Sequence, residues 1–139
     1  MKISARVENR LNNHQVTLTT NGQSQSLQVS PKATGFGSSA NGGELLFLAL
    51  ATCYCNDIYR EADRQGIQVI SVEVEVDGDF VGVGDPAQNV SYRARVTARA
   101  NQEAIQALMA HTDQVAEIQN TLRVVTPVVL NQIEAITAS

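Results

Sequence analysis

The segment Gly43–Gly66, GELLFLALATCYCNDIYREADRQG, constrains this chain more than any other. Leu, Ala and Glu dominate its first half and charged residues its last turns, which predicts one long helix. Gly66 suits the residue just past a helix end, where the backbone turns left-handed. Glu44 falls in the first turn, where a carboxylate favours the positive end of the helix dipole. Residues 45–51 are apolar on every face, and a helix of that kind must be covered all round. One sheet covers one face. In a chain of 139 residues, the rest of the cover must come from another helix or a second subunit.

The flanking segments read as strands. Ile3, Ala5 and Val7 alternate with Lys2, Ser4 and Arg6, and Val16, Leu18, Leu27 and Val29 alternate with polar neighbours. Thr20-Asn21-Gly22-Gln23 between two such runs is a strong hairpin signal, because both turn positions need positive φ. Pro31 ends the hairpin and a Gly/Ser-rich connector, Gly35–Gly43, leads to the helix. After Gly66 the period becomes two. Val72, Val74 and Val76 alternate with Glu73, Glu75 and Asp77; beyond a loop, Tyr92, Ala94, Val96 and Ala98 alternate with Arg93, Arg95, Thr97 and Arg99. An antiparallel register that sets Glu75 near Arg93 and Glu73 near Arg95 puts both charged rows on one exposed sheet face. Asn101 caps a second helix, with a break expected at His111-Thr112-Asp113. The tail Val124–Ile136 reads as a last strand, at an edge because of Pro127. The order β-β-β-α-β-β-α-(α)-β gives an α+β fold in one domain, residues 1–139.

Composition narrows the function classes. Ten Lys+Arg against fourteen Asp+Glu leave a net charge of −4 without a basic stripe, which argues against nucleic acid. The longest apolar run, Leu45–Ala51, is far short of the ~20 residues that span a bilayer. The start, MKISARVENR, carries no apolar leader, so the expected location is cytoplasmic, away from membranes. Two cysteines and two scattered histidines make neither a disulfide framework nor a zinc signature. Gly82-x-Gly84 lacks the strand-to-helix context of a dinucleotide loop. No metal and no cofactor is expected.

The thiols are Cys53 and Cys55. Two positions apart on a helix is about 200° of rotation, so the sulfurs point to opposite sides and cannot bridge. Each is either a small buried apolar group or, with a cation nearby, an activated thiolate. Glu44 either complements the helix dipole or orients a basic group. Glu44 and Cys53 lie about 180° apart around the helix and roughly 13–14 Å along it, so a shared site needs a second copy of the helix. His14 and His111 are isolated and read as satisfied surface or capping residues.

The run Asn41-Gly42-Gly43-Glu44-Leu45-Leu46, with Cys53 nine residues after the glutamate and Tyr54 next, resembles the OsmC/Ohr family of osmotically inducible and organic hydroperoxide resistance proteins. The order of elements agrees along the whole chain; the motif covers about twenty residues. The resemblance implies an OsmC-like fold of antiparallel sheets around a long central helix, in an interwoven homodimer. It implies a thiolate that attacks peroxide at the position of Cys53. It also implies an N-terminal arginine that stabilises the thiolate, matched by Arg10 with Arg6 second, and a glutamate that orients the arginine, matched by Glu44. The family's second, resolving cysteine is missing. Ala116 falls about where it should stand, and Gly42 replaces the helix-start proline. Three readings follow. The first is a one-cysteine, thiol-dependent organic hydroperoxide reductase in oxidative-stress defence, recharged by an external thiol. The second is a non-catalytic OsmC-like dimer that binds a small apolar ligand at its interface. The third is a structural or interaction domain.

Overall fold

Asn21 and Gly22 both take positive φ, 48° and 80°, and close the expected hairpin with Thr20 opposite Gln23. The computed structural model describes residues 1–138. Its contacts gather into two compact units, Met1–Leu48 and Ala49 onward. In the first, β1 (Ile3–Arg10), β2 (Asn13–Thr20) and β3 (Gln23–Leu27) form an antiparallel sheet in that order. A second tight turn, with Asn12 at φ 59°, joins β1 to β2. The Gly/Ser-rich connector folds back on itself, with Lys32 N–H on Gly37 O and Ser39 N–H on Ser30 O. The chain then enters α1 (Gly42–Gln65). The apolar row of β1 is not covered: Ile3 and Val7 remain 63% and 60% exposed.

α1 ends as its sequence predicts. Gly66 adopts φ 69°, its N–H reaches Asp63 O, and Ile67 N–H reaches Ala62 O, the paired bonds of a left-handed helix stop. In the second unit, β4 (Gln68–Asp79) and β5 (Gln88–Arg99) form an antiparallel pair. The register sets Glu73 opposite Arg95 and Glu75 opposite Arg93, as expected, with ion pairs of 3.4 and 2.6 Å on the exposed face. A register shift between Val69 and Ser71 lets Val69 and Val72, three positions apart, serve one core face.

Tyr54, Ile58 and Ala62 form one stripe of α1 at helical spacing and bury with Leu108 of α2 (Gln102–Val115) against Val72, Val74, Tyr92, Ala94 and Val96. Ile58 and Leu108 are wholly buried, each contributing about 1.5–3 kcal/mol. The rings of Tyr54 and Tyr92 meet edge to face at 5.0 Å. Asn101 caps α2 through its side-chain oxygen on Ala104 N–H at 2.8 Å.

Two expectations are corrected. The helical break falls at Ala116, between α2 and α3 (Glu117–Arg123), not at 111–113. Thr112 is fully buried with its hydroxyl on Leu108 O, and His111 is held by Glu61, so both stay helical. The tail Val124–Ile136 forms no strand. A strand needs a ladder partner, and among the described residues none pairs with the tail. Val125, Val128, Leu130, Ile133 and Ile136 are all exposed.

Candidate functional site around Cys53

Cys53, Asp57, Arg60 and Glu61 follow one another at i, i+4, i+7 and i+8 on α1, which brings them to one face of the helix. Glu117, the first residue of α3, closes over that face. The Cys53 thiol is partly exposed. It donates to Asp57 Oδ2 at 3.5 Å and to Glu117 Oε2 at 3.8 Å. The guanidinium of Arg60 lies 3.0 Å from Asp57 Oδ1, 2.9 Å from Glu117 Oε1 and 2.9 Å from Glu61 Oε2. Glu61, almost fully buried, also meets Arg64 at 3.2 Å and His111 Nε2 at 2.8 Å. A polar chain therefore runs from the thiol through two carboxylates and an arginine to Glu61 and His111.

The electrostatics follow from that packing. Burial pushes the Cys53 thiol above its ordinary value; the Ile118 N–H works the other way, and the negative charges of Asp57 and Glu117 add to the rise. Burial also raises Asp57, with the neighbouring Glu117 adding and Arg60 opposing. Glu117 is held low, first by its own backbone N–H and then by Asp57. Glu61 is held low by its bonds from Arg60 and His111. Within one protomer these neighbours disfavour the thiolate. Cys53 Sγ and one oxygen each of Asp57 and Glu117 lie within 4.8 Å of one another, a donor set suited to a borderline-soft cation. Arg60 already supplies positive charge to both carboxylates.

The other sequence candidates lie as follows. Cys55, on the other side of α1 as its spacing requires, lines a shallow cleft of about 250 Å³ with Ala51, Thr52, Asn56 and Val74. Glu44 and Asn41 cap the start of α1 reciprocally: Asn41 N–H donates to Glu44 Oε1 at 3.0 Å, and Glu44 N–H to Asn41 Oδ1 at 2.8 Å. Arg10 is exposed on β1 and has no ion-pair partner among the described residues, whereas Arg6 pairs with Glu8 at 3.3 Å. Arg10 and Glu44 belong to the first unit and Cys53 to the second. His14 meets Asn9 and His111 meets Glu61, so both histidines are satisfied as expected.

Asp57, Arg60 and Glu117 were not singled out from sequence. The spacing of Asp57 and Arg60 from Cys53 was a usable signal; the arrival of Glu117 from 64 residues away was not. Ala116 is wholly buried, and its neighbours Glu117 and Ile118 are the residues that face Cys53. The stretch expected to carry a second cysteine therefore does pack on Cys53, with a carboxylate in place of a thiol.

A thiol on a long helix, a three-stranded sheet before it and a two-stranded sheet after it match known proteins. The family model for OsmC-like protein matches residues 35–131. This chain belongs to the OsmC family. An OsmC-like protein of Mycoplasma pneumoniae has a similar fold: TM-score 0.58, 18% identity, covering 86% of this chain and 87% of that one. An organic hydroperoxide resistance protein of Legionella pneumophila is also similar: TM-score 0.57, 21% identity, covering 88% of this chain and 90% of that one. An OsmC-like protein of unknown function from Vibrio cholerae gives TM-score 0.58 at 16% identity, covering 87% and 93%. No curated protein sequence matches the chain. The α+β, OsmC-like fold read from the sequence is the fold of the molecule. No described helix is long and apolar enough to cross a membrane.

Proposed function

We propose that this OsmC-family protein is a one-cysteine organic hydroperoxide reductase with Cys53 as the attacking thiol. The observation that carries the reading is the partly exposed Cys53 thiol, set on the long helix among groups able to accept its proton. The sulfur attacks the terminal peroxide oxygen, the O–O bond breaks, and Cys–SH + ROOH becomes Cys–SOH + ROH. Two equivalents of an external thiol then return Cys–SOH to Cys–SH with release of water and a disulfide. Cys55, facing the other way, does not resolve the sulfenic acid.

The working form is a homodimer. The uncovered apolar row of β1 and the exposed apolar side chains of the tail supply surface for a second copy. In that assembly Arg10 and Glu44 complete the site around Cys53, the arginine drawing the sulfur towards thiolate once peroxide is bound. The substrate is a small organic hydroperoxide. The deciding experiment treats the protein with one equivalent of cumene hydroperoxide, with and without a sulfenic-acid trap, and reads intact mass. A trapped sulfenic acid that vanishes in Cys53→Ser supports the reading; an unmodified Cys53 thiol sinks it.

The cleft beside Cys55 favours a second reading, a non-catalytic dimer holding a small apolar ligand. Ligand retained through purification by a protein inert to peroxide would favour it.

A further inference from the structure

The side-chain amide of Asn9, near the end of β1, can face only one way. Its Oδ1 accepts from Gly37 N–H at 3.0 Å, and its Nδ2 donates to Asn13 O at 3.3 Å. A backbone N–H can only donate and a carbonyl can only accept, so two main-chain groups fix which end of the amide is which. The same Nδ2 lies 3.0 Å from Nδ1 of His14, the residue directly opposite on β2. That ring nitrogen must therefore accept. The clasp is complete only with a neutral imidazole whose proton sits on Nε2.

The clasp ties two segments of the first unit together. Among the described residues, the segment 30–40 makes its other hydrogen bonds within itself: Lys32 N–H on Gly37 O, Ser39 N–H on Ser30 O and Ser38 Oγ on Ala40 O. The bond from Gly37 N–H to Asn9 is the one that reaches the sheet. On the sheet side, Asn9 immediately precedes Arg10. On the other side, the chain runs from Gly37 to Asn41 and Glu44, which cap α1 reciprocally.

We infer that Asn9 and His14 are positioning residues, a proton-sensitive clasp that holds the segment leading to Glu44 against the strand end that carries Arg10. The inference rests on the proposed function, in which Arg10 and Glu44 complete the site around Cys53. A proton on His14 Nδ1 would set one N–H against another across 3.0 Å. Turning the Asn9 amide over gives no relief. Its oxygen would then face Asn13 O, and its NH2 would face Gly37 N–H. The protonated ring swings away, Asn9 loses its brace and Gly37 loosens. An imidazole ordinarily gains its proton near about pH 6.5. The charged groups on the elements around His14 are Glu8 and Arg10 of β1 and Lys32 before Gly37. Strand alternation sends Glu8 and Arg10 to the face away from His14. The Lys32 stem runs along Gly37. β3 carries no charged residue.

Two measurements test this. The first is hydrogen exchange of the Gly37 amide in nitrogen-15-labelled protein at pH 5.5 and 7.5, expressed as protection relative to an unstructured amide. It needs no peroxide. Wild type should lose about 5-fold in protection at the lower pH, the worth of one ordinary hydrogen bond. His14→Asn keeps an acceptor near the place of Nδ1 but takes up no proton, so its protection should be equal at both. Asn9→Asp should reverse the trend, because a carboxylate there pairs with the protonated ring. Wild-type protection that does not change with pH overturns the inference, and so does an equal fall in His14→Asn.

The second is oxidation of Cys53 by cumene hydroperoxide, followed by peptide mass spectrometry. Asn9→Ala should be slower than wild type by about 10-fold at pH 7.5, as expected for misplaced catalytic groups. The deficit should shrink at pH 5.5, where wild type has already lost the clasp. Asn9→Ala can open the β1–β2 turn; Asn9→Asp then decides, slower than wild type at pH 7.5 and faster at pH 5.5. A rate equal to wild type, or a deficit equal at both pH values, overturns the positioning role and leaves the peroxidase reading standing. If wild-type Cys53 ignores peroxide altogether, the peroxidase reading fails, and the positioning role falls with it whatever Gly37 does.

Discussion

Replacing Arg60 by methionine should destabilise the protein in a way that depends on pH. Arg60 touches three carboxylates, Asp57, Glu61 and Glu117, at 2.9–3.0 Å. Without it, Asp57 and Glu117 face each other and the thiol with no cation between them. The penalty has a ceiling, because Asp57 can take up a proton instead of staying charged. Protonating a carboxyl of ordinary pKa near 3.9 at pH 7 costs about 4 kcal/mol, and at pH 5 about 1.5 kcal/mol. Arg60 is about one-third exposed, 36% for its side chain, so solvent screening keeps the measured cost below that ceiling. We expect about 2–4 kcal/mol at pH 7 and under about 1.5 kcal/mol at pH 5. The sign is fixed by two groups. Asp57 sits above its unfolded value, so its charged form penalises the fold above about pH 4 and spares it below. Glu61 sits below its unfolded value, so its stabilisation is present above about pH 4.5 and fades as pH falls. Loss of Arg60 worsens the first and weakens the second, and both differences shrink in acid. Urea unfolding of wild type and Arg60→Met at pH 5, 6 and 7 measures the effect. A destabilisation equal at all three pH values would refute the reasoning and leave only lost packing of the arginine stem.

Three further outcomes are expected. Leu108→Ala, at a wholly buried site against Tyr54, Ile58 and Ala62, should cost about 2–5 kcal/mol in denaturant unfolding; under about 1 kcal/mol would mean that the core closes over the gap. Asn101→Ala, which removes the cap on Ala104 N–H, should cost about 1 kcal/mol in thermal or urea unfolding, with Asn101→Ser close to wild type. The alkylation rate of Cys53 should rise with pH to an inflection above that of an ordinary cysteine, and Glu117→Gln should move it down; an inflection below pH 7 would contradict the carboxylate environment.

The elements legible in the sequence are those fixed by neighbours along the chain. Asn21-Gly22 turned as expected because two positive φ values in succession leave few residue choices. Gly66 stopped α1 for the same local reason. The β4–β5 register was readable because an acidic row and a basic row have one alignment that pairs them. Glu44 reads from the sequence as a dipole partner or an arginine guide. It caps α1 with Asn41, three residues away, which is a local pattern the sequence also contained.

The tail and the helical break needed more than neighbours. Val124–Ile136 has the composition of a strand, but a strand exists only where another strand offers its hydrogen bonds, and composition says nothing about that partner. His111 and Thr112 look like a break, yet a buried bond to Leu108 and a hydrogen bond to Glu61 keep them in the helix. Residue order alone establishes an α+β chain built on one long helix with an apolar first half, and opposed thiols at Cys53 and Cys55. Helical rotation and charge alternation are properties of consecutive residues, so they survive any tertiary arrangement. Only the tertiary structure decided what surrounds the thiol at Cys53. It brought Glu117 across 64 residues to stand with Asp57 beside the sulfur, because through-space packing, not spacing along the chain, chooses the neighbours of a side chain.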